Sequence, residues 1–199
     1  YGPDINLGLP REFMDTLDLK DFERKVNYYA PALAAMTVAS PFVNGQPWNY
    51  SFGRTGKSYR MHKRSYIAPP IEIHPHEGNR LEFKVFDMPS SLKEIEAQFL
   101  SFIALVFSEN LRGRADNQSR IYELGDVAKK GLAAEGIREK LEDFFQFAEP
   151  TLESLGFDPS ALSIFHSRLE TGRTPADEML SLWEGGGMLA VLEARRELH

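Results

Sequence analysis

Two segments hold most of the residues that could do chemistry. The first is Ile71-Glu-Ile-His-Pro-His-Glu-Gly-Asn-Arg-Leu-Glu-Phe-Lys-Val-Phe-Asp87. Two short alternating runs flank a Pro-His-Glu-Gly-Asn turn, which is the pattern of a β-hairpin. Ile71 and Ile73 point one way, Glu72 and His74 the other; Leu81, Phe83 and Val85 oppose Glu82 and Lys84. The polar face therefore collects two carboxylates, an imidazole and an amine. Glu82, on a strand beside a cation, suits a hard cation such as Mg2+ carrying nucleotide phosphates. A solvated sheet face explains the same alternation.

The second segment is cationic: Lys57, Arg60, His62, Lys63 and Arg64 stand close together in an acidic chain of net charge −6. Such a run is either a solvated loop or a clamp for carboxylate or phosphate groups, a task for which the arginine fork is well shaped. Trp48 and Tyr50 could wall it. Gly53-Arg-Thr-Gly56-Lys57-Ser58 is not read as a phosphate loop. The first glycine of that motif is replaced by Ser51, and Tyr59-Arg-Met-His-Lys63 is not helix-like. His62, His74 and His76 lack zinc spacing, and no nucleophile elbow is visible.

The chain that positions these residues has no cysteine, so disulfide scaffolds, thiolate zinc sites and cysteine nucleophiles are excluded. Its acidic balance argues against nucleic-acid partners. The longest apolar run, Phe99 to Phe107 with Ser101 inside, falls far short of the ~20 residues of a membrane span. No signal peptide pattern opens the sequence, so cytoplasmic residence is expected. The first residue is Tyr1, and a strand is already under way, so the chain is expected to be the C-terminal portion of a longer polypeptide.

The expected fold class is α+β, one domain over 1–199, with a sheet-containing part at 1–90 and a helical part at 91–199. Antiparallel strands are predicted near 3–9, 70–75 and 80–87. A helix over 19–39, kinked at Pro31, carries Phe22, Val26, Tyr29, Leu33 and Met36 on one stripe. Residues 41–58 read as a loop. Ser91 and Glu94 form a capping box that starts a buried helix reaching Phe107. Further helices are predicted over 118–134, 137–155 and 160–171. Thr174-Pro175-Ala-Asp177 starts another, Gly185–Gly187 ends it, and a last helix runs to about Leu198.

Glu82-Phe-Lys-Val-Phe-Asp87 resembles the Glu-x-Arg-x-x-Asp strand of the glutamate–cysteine ligase superfamily, which includes the bacterial carboxylate–amine ligases. Asp4-Ile-Asn-Leu-Gly8 resembles its Asn-Leu-Gly strand. The segment from Ala32 to Ser40-Pro-Phe42 with Gly45 resembles its Ala-x-x-Ala-x-Ser-Pro-Phe-x-x-Gly helix end. Ser58-Tyr-Arg60, Ala128-Lys-Lys-Gly-Leu132 and Thr171-Gly-Arg-Thr-Pro-Ala176 are similar to three further motifs, in the same order along the chain.

The resemblance implies a glutamine-synthetase-like antiparallel sheet with a polar open face and helices outside. It implies an ATP- and Mg2+-dependent ligase that phosphorylates a carboxylate and passes the acyl group to an amine, with glutathione biosynthesis as the setting. Its partners would be an amino-acid or small carboxylate substrate and an amine. A homodimer, or an N-terminal half on a longer chain, would complete it. By motif match, Glu82 and Asp4 would bind metal, and Lys84, Asn6 and His74 would bind nucleotide. Lys84, Arg60 and Arg64 would serve catalysis and carboxylate or phosphate binding.

Departures are visible: Lys84 replaces the usual arginine, and His74 stands where relatives often carry one. The first strand of the family, with its metal-binding glutamates, is absent from these residues. A catalytically inert nucleotide- or partner-binding relative and a helical interaction module are the competing readings.

Overall fold

A computed structural model describes residues 2–50 and 54–196. The chain opens with β1 (Ile5–Gly8), α1 (Arg11–Thr16) and α2 (Leu19–Thr37). Two minimal hairpins follow, β2 (Phe42–Val43) with β3 (Gln46–Pro47) and β4 (Asn49–Tyr50) with β5 (Arg54–Thr55). Then come α3 (Tyr59–Ile67), β6 (Ile71–His74) and β7 (Arg80–Phe83). The remainder is helical: α4 (Leu92–Phe107), α5 (Asn117–Lys130), α6 (Ile137–Ser154), α7 (Ser163–Thr171) and α8 (Pro175–Arg196).

The main sheet is antiparallel in the order β1-β7-β6. Asn6 and Glu72 lie on either side of Glu82, and Gly8 and His74 on either side of Arg80. Because the side-chain period is two, this register puts Asn6, Glu72, His74, Arg80 and Glu82 on one face. The opposite face carries Ile71, Leu81 and Phe83, all buried. Phe83 stacks on Phe102 of α4 at 4.8 Å between ring centres, so the apolar side of the sheet rests on α4. The β6–β7 turn closes through Gly78 and Asn79, both at positive φ, a conformation open to glycine and tolerated by asparagine.

Behind the sheet, α2 runs through the core with Tyr29, Leu33 and Met36 fully buried, packed on α5 and α6. Asp18 caps it by accepting from the Lys20 and Asp21 amides. α2 is continuous through Pro31, because nearly every residue of its C-terminal half is buried and packing outweighs one lost hydrogen bond. Thr174 and Asp177 cap α8 as expected. Its interruption at Gly186 and Gly187 also matches, and Arg195 then reaches back to the Met179 sulfur at 3.5 Å. The end of the expected last helix, from Glu197, lies outside the described residues. No described helix is long and apolar enough to cross a membrane.

Three expectations need correction. Residues 41–58 are not simply a loop, since they carry the two minimal hairpins. The short helix α1 was not expected. The cationic segment is helical: Ser58 caps α3 with its Oγ accepting from the Met61 amide at 3.1 Å, and the fully buried Met61 anchors the first turn. In this nine-residue helix Met61 is the one buried residue among those whose side chains are described, which leaves too little periodicity to detect. Against the phosphate-loop reading, only the Ser51 substitution therefore remains, and Ser51 to Gly53 lie outside the described residues.

Lys25 of α2 is buried and donates to the carbonyl of Ser108, 3.2 Å away, just beyond the end of α4. Burial, reinforced by Arg114, lowers its pKa to about 8 against weaker support from Asp21 and Glu109. The native amine thus releases its proton at lower pH than the unfolded one. Between about pH 8 and 10 the unfolded state binds more protons, and stability rises with pH. Urea unfolding should show the wild type gaining on Lys25→Met across that window, by at most about 1.4 kcal/mol per pH unit. Parallel profiles for the two proteins would contradict this.

Candidate functional site

On the open face of the sheet, Glu82 is the centre of an ion cluster. One carboxylate oxygen is 3.1 Å from His74 Nε2 and 3.1 Å from Arg80 Nη1. The other is 3.2 Å from Lys84 Nζ. Lys84 also reaches Glu72 at 2.8 Å, and His74 Nε2 lies 3.7 Å from the same Glu72 oxygen. Arg80 pairs with Glu77 in the turn and donates to Asn6. Partial burial works to raise the Glu82 pKa, but hydrogen bonds from Lys84, Arg80 and His74 outweigh it and hold the carboxylate below its ordinary range. For Lys84, burial works to lower the pKa, and Glu72 and Glu82 more than offset it. Both groups are therefore charged at neutral pH.

Glu72, His74 and Glu82 can present one ligand atom each within 4.8 Å of one another. Two carboxylates on adjacent strands, partly open to solvent, fit a hard divalent cation that keeps several waters. Asp4 does not join this group. It lies two residues before Asn6, at the sheet end where β1 begins, and lines a separate cavity of about 500 Å³.

That cavity is also lined by Ser40, Arg60, Lys63 and Arg64. Arg60 spends one nitrogen on the Phe86 carbonyl at 2.7 Å. Arg64 is less provided for, since its Nε and Nη2 are buried and have no hydrogen-bond partner. Burial foremost, with Arg60 nearby, pulls its pKa down to about 10 despite the fields of Asp4 and Glu72. It remains charged at neutral pH and has no direct counter-ion among the described residues. Trp48 is not a cavity wall: it packs on Tyr59 and His62, on another side of α3. The Tyr50 side chain lies outside the described residues.

What fixes α3 here comes from distant parts of the chain. Asp87, almost fully buried, accepts from the Ala39 amide at 2.9 Å, Ser40 Oγ at 2.7 Å and Ser58 Oγ at 2.9 Å. The Lys57 and Ser58 amides donate to the Ala128 carbonyl. Lys57 Nζ pairs with Asp177, and the Ala176 amide donates to Val38. Thus Ser40, Ser58, Asp87 and Ala128, each from a different sequence motif, converge on the start of one helix, while Ala176 ties the start of α8 to the end of α2. Their common work is to frame the cationic helix against the end of the sheet.

Of the residues singled out from sequence, Asn6, His74, Glu82 and Lys84 share the open face, and Asp4, Arg60 and Arg64 share the cavity. Arg80 and Asp87 were missed as site residues. Arg80 was within reach, because it precedes Glu82 and Lys84 at the strand period of two. The framing role of Asp87 was not, because its partners lie about 30 to 50 residues away.

No family model and no curated protein matches the sequence. Solved structures do match in fold. The Pup ligase PafA in complex with ADP superposes with a TM-score of 0.67 at 14% identity, over 94% of this chain and 51% of that one. The complex between the prokaryotic ubiquitin-like protein Pup and its ligase PafA gives a TM-score of 0.66 at 15% identity, over 92% and 44%. At this identity the likeness is one of fold: a mixed α+β architecture with a small antiparallel sheet, as expected. The chain spans about half the length of these ligases. Neither is a glutamate–cysteine ligase, so the motif resemblance gains no support at that finer level.

Proposed function

We propose that this chain carries the nucleotide and carboxylate sites of an ATP-dependent carboxylate–amine ligase that forms an amide bond through an acyl phosphate. The observation that carries the reading is the pairing of two sites: a carboxylate–cation sheet face around Glu82, and beside it a cavity into which Arg64 brings unpaired, buried positive charge. The fold shared with an ADP-bound ligase supports it. Since one of those ligases is solved with the protein Pup, a carboxylate on a protein is a substrate class to test beside small acids. Nothing among the structural neighbours supports a glutathione setting.

In this reading Glu82 and Glu72 hold Mg2+, which would neutralise phosphate charge during transfer. Lys84 and Arg80 face the phosphates from the same side of the sheet. Arg64 and Arg60 orient the substrate carboxylate or the transferring group, and their cationic hydrogen bonds act most strongly in a partly desolvated cavity.

Hydroxylamine intercepts acyl phosphates and gives hydroxamates, so it reports the first half-reaction without knowledge of the amine. With Mg2+ present, the complete gene product should convert ATP, hydroxylamine and a suitable carboxylate (free glutamate, or a protein ending in it) to ADP, phosphate and hydroxamate. Arg64→Ala should raise the KM for the carboxylate about tenfold or more, with kcat less affected and the melting temperature nearly unchanged. ADP formation independent of any carboxylate, or none at all, would overturn the assignment. An unchanged KM in Arg64→Ala would remove Arg64 from it.

A further inference from the structure

The ion cluster on the sheet face has a feature that the ligase reading alone does not require. Lys84 Nζ stands between the two carboxylates best placed to hold a divalent cation, 2.8 Å from Glu72 and 3.2 Å from Glu82. The side chain is only 16% exposed, so this is not a loose surface pair. A Mg2+ ion sits about 2.1 Å from its oxygen ligands. Placed between Glu72 and Glu82, it would fall in the space the ammonium fills and meet its charge at contact range. Arg80 adds a second cation on Glu82. The two carboxylates are thus already neutralised from within, and a metal arriving alone gains little.

Resting on the ligase reading, we propose that Lys84 is an internal counter-ion that holds the Glu72–Glu82 cation site shut until nucleotide phosphates draw it away, so that metal and nucleotide bind only together. Lysine suits the task because its ammonium is a point charge on a flexible four-carbon stem and can swing between anions. The new anion must come from the ligand. Glu77 is taken by Arg80, and Asp4 faces a cavity with Arg60, Lys63 and Arg64. A polyphosphate laid over the sheet supplies it, and the carboxylates freed by Lys84 then accept the metal. His74, 3.1 Å from Glu82 and 3.7 Å from Glu72, is in place to become a nitrogen ligand. That makes Mn2+ a suitable probe beside Mg2+.

The experiment titrates Mn2+ into the purified protein, read by the paramagnetic relaxation of water protons, with and without ADP. The contribution of Mn2+–ADP free in solution is subtracted, and ADP binding is measured separately by calorimetry. In the wild type, ADP should tighten Mn2+ binding about tenfold or more, and by linkage Mn2+ should tighten ADP by the same factor. Lys84→Met should bind Mn2+ alone about tenfold more tightly than the wild type and bind ADP more weakly, so the coupling falls below about threefold. Lys84→Arg, which keeps the charge, should retain the coupling; melting curves confirm that both variants fold. If ADP binds but Mn2+ alone binds the wild type as tightly as with ADP, or binds Lys84→Met no better than wild type, the counter-ion inference is wrong and the ligase reading stands. If neither ADP nor Mn2+ binds the wild type, both are wrong.

Discussion

Glu82→Gln is expected to lower nucleotide-dependent hydroxamate formation by a factor of about 10² to 10³, the scale seen when one preorganised charge partner is removed from a transition state. The substitution keeps the shape of the side chain and removes one negative charge. Glu82 is the residue on which three cationic or imidazole groups converge, and it sits on the central strand, with Asn6 across from it on β1 and Glu72 on β6. Losing its charge would weaken the metal site and release Lys84 and Arg80 from their resting positions together. The fold should hardly notice. Glu82 lies on the open face, away from the apolar core, and Gln keeps its shape and an oxygen that can still accept from Lys84 or Arg80. A normal melting curve with collapsed turnover would place Glu82 in the chemistry. Unchanged turnover would return the polar face to the status of a solvated surface.

The sheet was legible because strand alternation is a local signal. Ile71, Ile73, Leu81, Phe83 and Val85 announce their face within a few residues, and the register then follows from a turn containing Gly78 and Asn79. The face chemistry was legible for the same reason. The cavity was not, because its cations come from a helix that sequence periodicity does not reveal. Arg60, Lys63 and Arg64 share a wall only if residues 59–67 are helical. That helix is set by Ser58, whose hydroxyl both caps it and donates to Asp87, and by the Ala128 carbonyl from the other half of the chain. The motif resemblance drew attention to these residues in sequence, yet it could not say that they frame a helix. The division into a sheet part and a helical part is also coarser than the molecule, since α2, from the first half, is the helix around which α5 and α6 pack.

The largest stability effect should come from a pair outside the site. Arg168 of α7 donates to Glu94 of α4 at 2.6 Å and to the Met36 carbonyl of α2 at 2.8 Å. Glu94 is completely buried, and its other oxygen accepts from the amide and hydroxyl of Ser90. The sequence pattern anticipated a capping box at Ser91. Ser91 does accept from the Glu94 amide, but the Glu94 carboxylate serves Ser90 and Arg168 rather than closing the box on Ser91. Burial pushes the Glu94 pKa upward, and Arg168 with Ser90 outweighs it, so the native carboxyl titrates below its ordinary value.

Arg168→Met leaves that carboxylate buried without its counter-ion, which should cost about 3–5 kcal/mol. The pH dependence should also reverse. In the wild type, the pair contributes stability above the unfolded pKa of Glu94, and this is lost as the pH falls through the lower native value. In Arg168→Met, burial has no cation to oppose it and the native pKa rises above the unfolded one. The native state then binds the extra proton, and the variant should gain stability as the pH falls from 7 toward 4.5, where the wild-type pair gives none. Urea unfolding at several pH values checks both signs. Adding Glu94→Gln to Arg168→Met should recover part of the loss at pH 7 and abolish the gain at low pH. The pair also meets the end of α2, where Met36 lies a few residues before Ala39 and Ser40, which Asp87 uses to hold α3. A variant that stays folded at pH 5 and loses it at pH 7 would show that one buried charge, rather than packing, holds the three helices in register.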